Sequence, residues 1–229
     1  MSPSRPSNPL SLVVLALLFE RPMHPYEMGS TLKKRRKEDS IKLRYGSLYT
    51  VIEQLVSREL IAPEETSREG KRPERTVYTL TASGLDTLRD WMRELLRAPV
   101  KEYPQFEAGL CLLAVLPPEE TASLLRQRMV HLASSVSQLE THLAELARQD
   151  MDALMPASEI PAFLRGRKFP PLFAVEDEYR LAINKAELEF ISDLVCRIEQ
   201  EGWGPVDLWR NANAEFARQH ATGAREVRA

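Results

Sequence analysis

Ser47, Tyr49, Thr50 and Gln54 fall within one short stretch of the chain. Their hydroxyl and amide groups both donate and accept hydrogen bonds, which suits them to reading a polar surface. Nothing near them makes a catalytic set. The sequence has no Gly-rich phosphate loop and no G-x-S-x-G, H-E-x-x-H or C-x-x-C motif. Of the four histidines, His24, His131, His142 and His220, the middle two are eleven residues apart. On one helix that is a separation of about 16 Å, too far to share an ion. The expectation is therefore no catalytic residue, no metal and no cofactor.

The polar residues must be held by a helix. From Tyr45 to Leu60 the apolar residues are Leu48, Val51, Ile52, Leu55, Val56 and Leu60, spaced as one face of a 3.6-residue helix. The opposite face carries Ser47, Thr50, Glu53, Gln54, Ser57 and Arg58. Such a helix can bury one side and offer the other to the major groove of DNA, about 12 Å wide. The same pattern also describes an ordinary surface helix.

The flanking segments favour the first reading. Asn8 and Pro9 open a helix over Leu10–Glu20 that is apolar nearly all round. His24-Pro25 starts a second helix ending in the basic run Lys33–Lys37. That run favours the helix dipole and would also suit a phosphate backbone. Beyond the long polar helix, 61–66 and 75–80 have strand character, and the segment between them carries Arg68, Lys71 and Arg72. Thr81 caps a fourth helix, expected to bury Leu85, Leu88, Trp91, Met92 and Leu95 on one side. Three helices, a basic hairpin and a return helix spell a winged helix-turn-helix, whose third helix reads base edges while the wing reaches phosphates or the minor groove. The candidate DNA contacts are Ser47, Tyr49, Thr50 and Gln54 on the reading helix, Lys71 and Arg72 on the wing, and Lys42, Arg44 and Tyr26 toward the backbone. Tyr49 is also a candidate for packing under the helix.

Residues 9–84 resemble the PadR family of bacterial transcriptional regulators. The matching features are the His24-Pro25-Tyr26-Glu27-Met28 block, the helix start Gly46-Ser47-Leu48-Tyr49, Leu60-Ile61, Arg72-Pro73, and the step Val77-Tyr78-Thr79-Leu80-Thr81 to Gly84. The resemblance implies a homodimeric, usually repressing, DNA-binding protein, often released by a small molecule.

Charge divides along the same lines. Residues 1–98 carry 17 Lys+Arg against 13 Asp+Glu, and residues 99–229 carry 14 against 20. The expected organisation is a winged helix-turn-helix domain over 1–98 and an α-helical dimerisation and effector domain over 99–229. The fold class is mainly α with a small two-stranded β wing. In the second half, Leu125, Met129, Leu132, Val136, Leu139, Leu143 and Leu146 form a heptad seam, and Leu181, Asn184, Leu188, Ile191, Val195 and Ile198 form another. These helices can pack on each other within the chain or across a dimer. A dimer would present two reading helices about 34–36 Å apart to a pseudo-palindromic operator. Tyr179, Trp203 and Trp209 are candidate effector contacts, with core packing as the plainer role. A bound effector would alter the separation of the reading helices. Cys111 and Cys196 read as buried thiols in a reducing cytosol, and the apolar run Leu10–Phe19 is about half of what a bilayer span needs. The chain is thus expected to be a cytoplasmic, ligand-responsive repressor acting as a homodimer. A helical protein–protein adaptor that uses the winged helix to bind a protein is the alternative from another class.

Overall fold

The fold is described from a computed structural model, which places residues 8–35, 37, 41, 45–64, 76–154, 165–200 and 206–226. The chain forms two compact units, residues 1–102 and 103–229.

In the first unit the elements are α1 (Pro9–Glu20), α2 (Pro25–Lys34), α3 (Tyr45–Ser57), β1 (Ile61–Glu64), β2 (Val77–Leu80) and α4 (Ala82–Arg97). The starts of α1 and α2 have local causes. The Leu10 amide donates to Asn8 Oδ1 at 2.9 Å, with Pro9 supplying the fixed φ of the first turn. The Tyr26 amide donates to His24 Nδ1 at 3.1 Å, so an imidazole caps α2. Arg35 grips both carboxylate oxygens of Glu20 at 2.5 and 2.7 Å, which ties the basic end of α2 to the end of α1.

The core collects Leu10, Val14, Leu15 and Leu18 from α1, Met28 and Leu32 from α2, the apolar face of α3, and Leu88 and Trp91 from α4. α1 is the most enclosed, as its composition implied, although Phe19 remains 60% exposed. Of the residues expected inside from α4, Met92 and Leu95 instead lie at the surface. They follow the last buried position of that helix, Trp91, and the core ends there.

The sheet is the antiparallel pair β1–β2, with Ile61 opposite Leu80 and Glu64 opposite Val77. Met23, in the turn between α1 and α2, adds a bridge on the far side of β2. Its amide donates to the Tyr78 carbonyl at 3.1 Å and its carbonyl accepts from the Tyr78 amide at 3.0 Å. Tyr78 is thereby bonded on the side of β2 away from β1, which satisfies its own amide and carbonyl.

α3 ends in a Schellman turn. The Leu60 amide donates to the Leu55 carbonyl at 3.0 Å and the Glu59 amide to the Val56 carbonyl at 2.9 Å, with Glu59 at φ 58°. Leu55 and Leu60 are both buried, which supplies the apolar contact of that motif. The Leu60 carbonyl then accepts from the Thr81 amide at 3.2 Å, and the Thr81 hydroxyl is shared between the Glu59 carbonyl at 2.8 Å and the Leu60 carbonyl at 3.0 Å. Thr81 Oγ1 also accepts from the Gly84 amide at 2.9 Å, capping α4. A Cβ on Gly84 would sit 2.0 Å from the Leu60 oxygen. Glycine is therefore a packing requirement at that position.

In the second unit, α5 (Gln105–Leu110) and a 3₁₀ turn (Leu113–Val115) precede α6 (Pro118–Arg148), followed by α7 (Met151–Leu154), a second 3₁₀ turn (Pro171–Phe173), α8 (Val175–Glu199) and α9 (Val206–Glu226). α6 and α8 pack antiparallel along their length. Arg128 Nε donates to Glu187 at 2.6 Å, Lys185 meets Glu140 at 2.6 Å, and Arg126 pairs with Glu199. The two heptad seams thus meet within the chain. Their most enclosed residues are Leu125, Leu139, Ile191, Val195 and Ile198. α9 is fastened to the start of α6 and to the 3₁₀ turn before it. Arg210 donates to Glu119 at 2.5 Å, and Asn213 Nδ2 to the Ala114 carbonyl at 2.5 Å. Backbone hydrogen bonding at the helix start, then the Arg210 guanidinium, hold the Glu119 carboxyl below its usual range.

Both cysteines are free, as expected, but both are exposed, against the expectation of burial. Cys196 follows the buried Val195 by one residue, a turn of about 100° that carries it off the buried face. Cys111 follows the last residue of α5. Among the described residues no helix is long and apolar enough to cross a membrane.

Gly84→Ala and Glu59→Gly should move the stability of the first unit in opposite directions. The first forces a Cβ into a backbone oxygen and should cost about 3 kcal/mol or more. The second relieves a left-handed non-glycine residue and should add about 1 kcal/mol. Denaturant unfolding of each variant against the parent chain measures both.

Candidate nucleic-acid interface

α3 presents the expected two-faced surface. Leu48, Val51, Ile52 and Leu55 are at most 2% exposed, and Val56 is half-buried. Gly46, Tyr49, Thr50, Glu53, Gln54 and Ser57 are exposed. At about 100° per residue, Gly46, Thr50, Glu53 and Ser57 form a central stripe, with Tyr49 on one flank and Gln54 on the other.

Of the residues singled out in sequence, Tyr49, Thr50 and Gln54 are brought together on this open face, while Ser47 is half-buried beside it. Tyr49 is 48% exposed, so it is neither packed away under the helix nor fully open. Tyr26, in the first turn of α2, is 66% exposed. Lys42, Arg44, Lys71 and Arg72 lie outside the described residues. The Thr50 hydroxyl donates to the Gly46 carbonyl at 3.1 Å, and the Ser57 hydroxyl to the Gln54 carbonyl at 2.9 Å. Arg58, at the end of the helix, places its guanidinium 5.6 Å from the centre of the Trp91 ring. This cation lies over the core rather than in the stripe.

Gly46 and Gly84 differ in kind. Among the described residues, an added Cβ on Gly46 would meet no atom within 4 Å, and its φ is not in the left-handed region. The fold gives no reason for a glycine there, and a glycine weakens a helix. In the sequence Gly46 is only the first residue of the Gly46-Ser47-Leu48-Tyr49 motif, and the openness around it is visible only from its surroundings.

Residues 14–90 match the Transcriptional regulator PadR-like family. The chain carries a PadR-like transcriptional-regulator domain. That family consists of DNA-binding regulators, not enzymes. No curated protein sequence matches the chain. Among solved structures, Bacillus subtilis PadR in complex with operator DNA is 19% identical with a TM-score of 0.60, over 83% of this chain and 99% of that one. Bacillus subtilis PadR in complex with p-coumaric acid is 18% identical with a TM-score of 0.62, over 83% and 99%. The Vibrio cholerae virulence activator AphA is 15% identical with a TM-score of 0.58, over 82% and 97%. These likenesses span both units and establish a shared PadR-like fold: a winged helix with a small two-stranded sheet and a helical C-terminal part.

The residues weighed as effector contacts are spread out. Trp209 is half-buried against the core formed by Ala122, Leu125 and Ile191, and its indole Nε1 donates to the Leu116 carbonyl at 2.7 Å. Tyr179 is exposed near the start of α8, close in sequence to Asp177, which faces His142 at 3.8 Å. The stretch of α6 from Ala122 to His142 separates the two by about 30 Å. Trp203 lies outside the described residues. Among the described residues no cluster of His, Cys, Asp or Glu could hold a metal.

Gly46→Ala should raise the melting temperature, because alanine is favoured in a helix by up to about 1 kcal/mol and the site has room for it. A thermal melt of the variant without any partner checks this. Loss of stability would mean that the glycine serves the fold after all.

Proposed function

We propose that this protein is a cytoplasmic, sequence-specific transcriptional repressor that binds a pseudo-palindromic operator as a homodimer and is released by a small molecule. The observation that carries the reading is the exposed polar face of α3, set on a PadR-like winged helix whose own packing leaves that face free. An α-helix of this kind fits the major groove, and Gly46 removes the side chain that would hold a sugar–phosphate strand away. The wing cations Lys71 and Arg72, with Lys42, Arg44 and Tyr26, supply backbone contacts that fix position without reading sequence. Residues 1–98 then form the reading domain and 99–229 the dimerising one.

Support for a dimer comes from α8. One side of that helix packs on α6. The other carries Val175, Tyr179, Ile183 and Phe190 at steps of four, four and seven, all between 45% and 69% exposed. A helix apolar on two opposite sides ordinarily lies between two neighbours, and a second copy would supply the other. Support for a released state comes from the relative solved with p-coumaric acid; the chemical identity of a ligand for this chain does not follow from it.

The test is binding to duplex fragments from upstream of its own and neighbouring genes over a salt titration, with sedimentation alongside. The expected result is a dimer at micromolar concentration and an affinity that falls steeply with salt. Lys71→Ala should weaken all sequences alike and reduce the salt slope by about one. Gly46→Ala should weaken binding while leaving the fold intact. A monomer both with and without DNA would remove the two-headed arrangement, and salt-independent binding would remove the DNA reading.

A further inference from the structure

The central stripe of α3 has an unusual hydrogen-bonding character. The Thr50 hydroxyl hydrogen is taken up by the Gly46 carbonyl and the Ser57 hydroxyl hydrogen by the Gln54 carbonyl. Both oxygens therefore face outward as acceptors. Between them stands Glu53, exposed, with no side-chain hydrogen bond or ion pair among the described residues. An ionised carboxylate can only accept. Thr50, Glu53 and Ser57 thus form a row of acceptors along the middle of the reading face, and the donors, Gln54 and the Tyr49 hydroxyl, stand at its edges.

A row of acceptors selects its partner. In the major groove guanine offers N7 and O6, both acceptors, and thymine offers O4 and a methyl group. Adenine pairs its N6 donor with an N7 acceptor, so a carboxylate that meets the first crowds the second. Cytosine offers the N4 amino group alone. We infer that Glu53 is a specificity-determining residue that accepts a hydrogen bond from the N4 amino group of a cytosine in each operator half-site. The inference rests on the DNA-binding reading above and deepens it. The same carboxylate repels phosphates, so an α3 out of register with the groove is penalised, and discrimination comes from both effects.

The test is enrichment of bound duplexes from a random library by the full-length chain, compared with Glu53→Ala and Glu53→Gln, each first shown by thermal melt to fold as the parent does. The parent should enrich a motif with one cytosine per half-site that Glu53→Ala no longer demands, the other positions being unchanged. Glu53→Gln should move that position toward adenine, the base that a carboxamide reads through N6 and N7. Replacing the cytosine with pyrimidin-2-one, which lacks the amino group, should weaken the parent by about 5- to 150-fold, the range for one good base contact. Glu53→Ala should be indifferent to that replacement. The assignment is overturned if Glu53→Ala keeps the parent's motif and binds every sequence more tightly, because the carboxylate would then act only as a repulsive charge. A parent that enriches no motif at all would overturn the DNA reading itself, and with it this assignment.

Discussion

The Leu60 carbonyl oxygen is the point on which the reading helix, the wing and the return helix converge. It accepts from the backbone amide of Thr81 and shares the Thr81 hydroxyl with the neighbouring Glu59 carbonyl, and the Cα of Gly84 is pressed against it too closely for any side chain. The oxygen belongs to the residue that closes the Schellman turn of α3, and it is donated to by the residue that follows β2 and caps α4. Three elements therefore share one short hydrogen-bonded junction, and none can slide without breaking it. The orientation of α3 is set from behind in this way. Its outer face needs to contribute nothing to stability, which leaves the residue types on that face open to selection for what they touch.

Much of this was legible in the chain, for a physical reason that can be named. Periodicity reports burial, and the residues it placed inside α3 are those the structure encloses. Capping reports local hydrogen bonding, and Asn8 and Thr81 cap as their side chains allow. The junction at Leu60 was visible only as a string, Tyr78 to Gly84, because its meaning depends on an oxygen more than twenty residues away. Contacts of that kind leave no periodic trace. The Met23–Tyr78 bridge and the Arg35–Glu20 pair were missed on the same account: one joins a turn to a strand, and the other joins two helix ends. The basic run Lys33–Lys37 looked equally suited to a dipole and to phosphate, and the structure spends Arg35 on Glu20.

The second unit shows where periodicity misleads. A heptad seam cannot say whether its partner lies in the same chain or in another, and here the two seams meet each other. The apolar residues on the opposite side of α8 were overlooked because the first pattern already accounted for the helix. Cys196 was assigned to the interior from its apolar neighbours, although one step from Val195 turns it outward. In both cases the mistake was to let one good face stand for the whole circumference. Of the residues weighed as effector contacts, Trp209 gives its indole donor to a backbone carbonyl and its ring to the core, the plainer of the two roles its type allowed.

The distribution of charge on the first unit fits a separation between holding and reading. In the sequence, lysine and arginine are crowded into the end of α2 and the segment between the strands, while Arg58, at the end of α3, is held over Trp91. Phosphate contacts give affinity that is blind to sequence and grows with every cation. A cation in the middle of α3 would add to that blind term and reward any register in which it met a phosphate. A carboxylate does the reverse: it lowers affinity everywhere except where a base donor waits for it. With Glu53 in the role proposed for it, an acid on the α3 face would trade total affinity for contrast between right and wrong sequences. The excess over residues 1–98 is a modest +4, and under that proposal a small excess keeps the sequence-blind term from swamping the contrast.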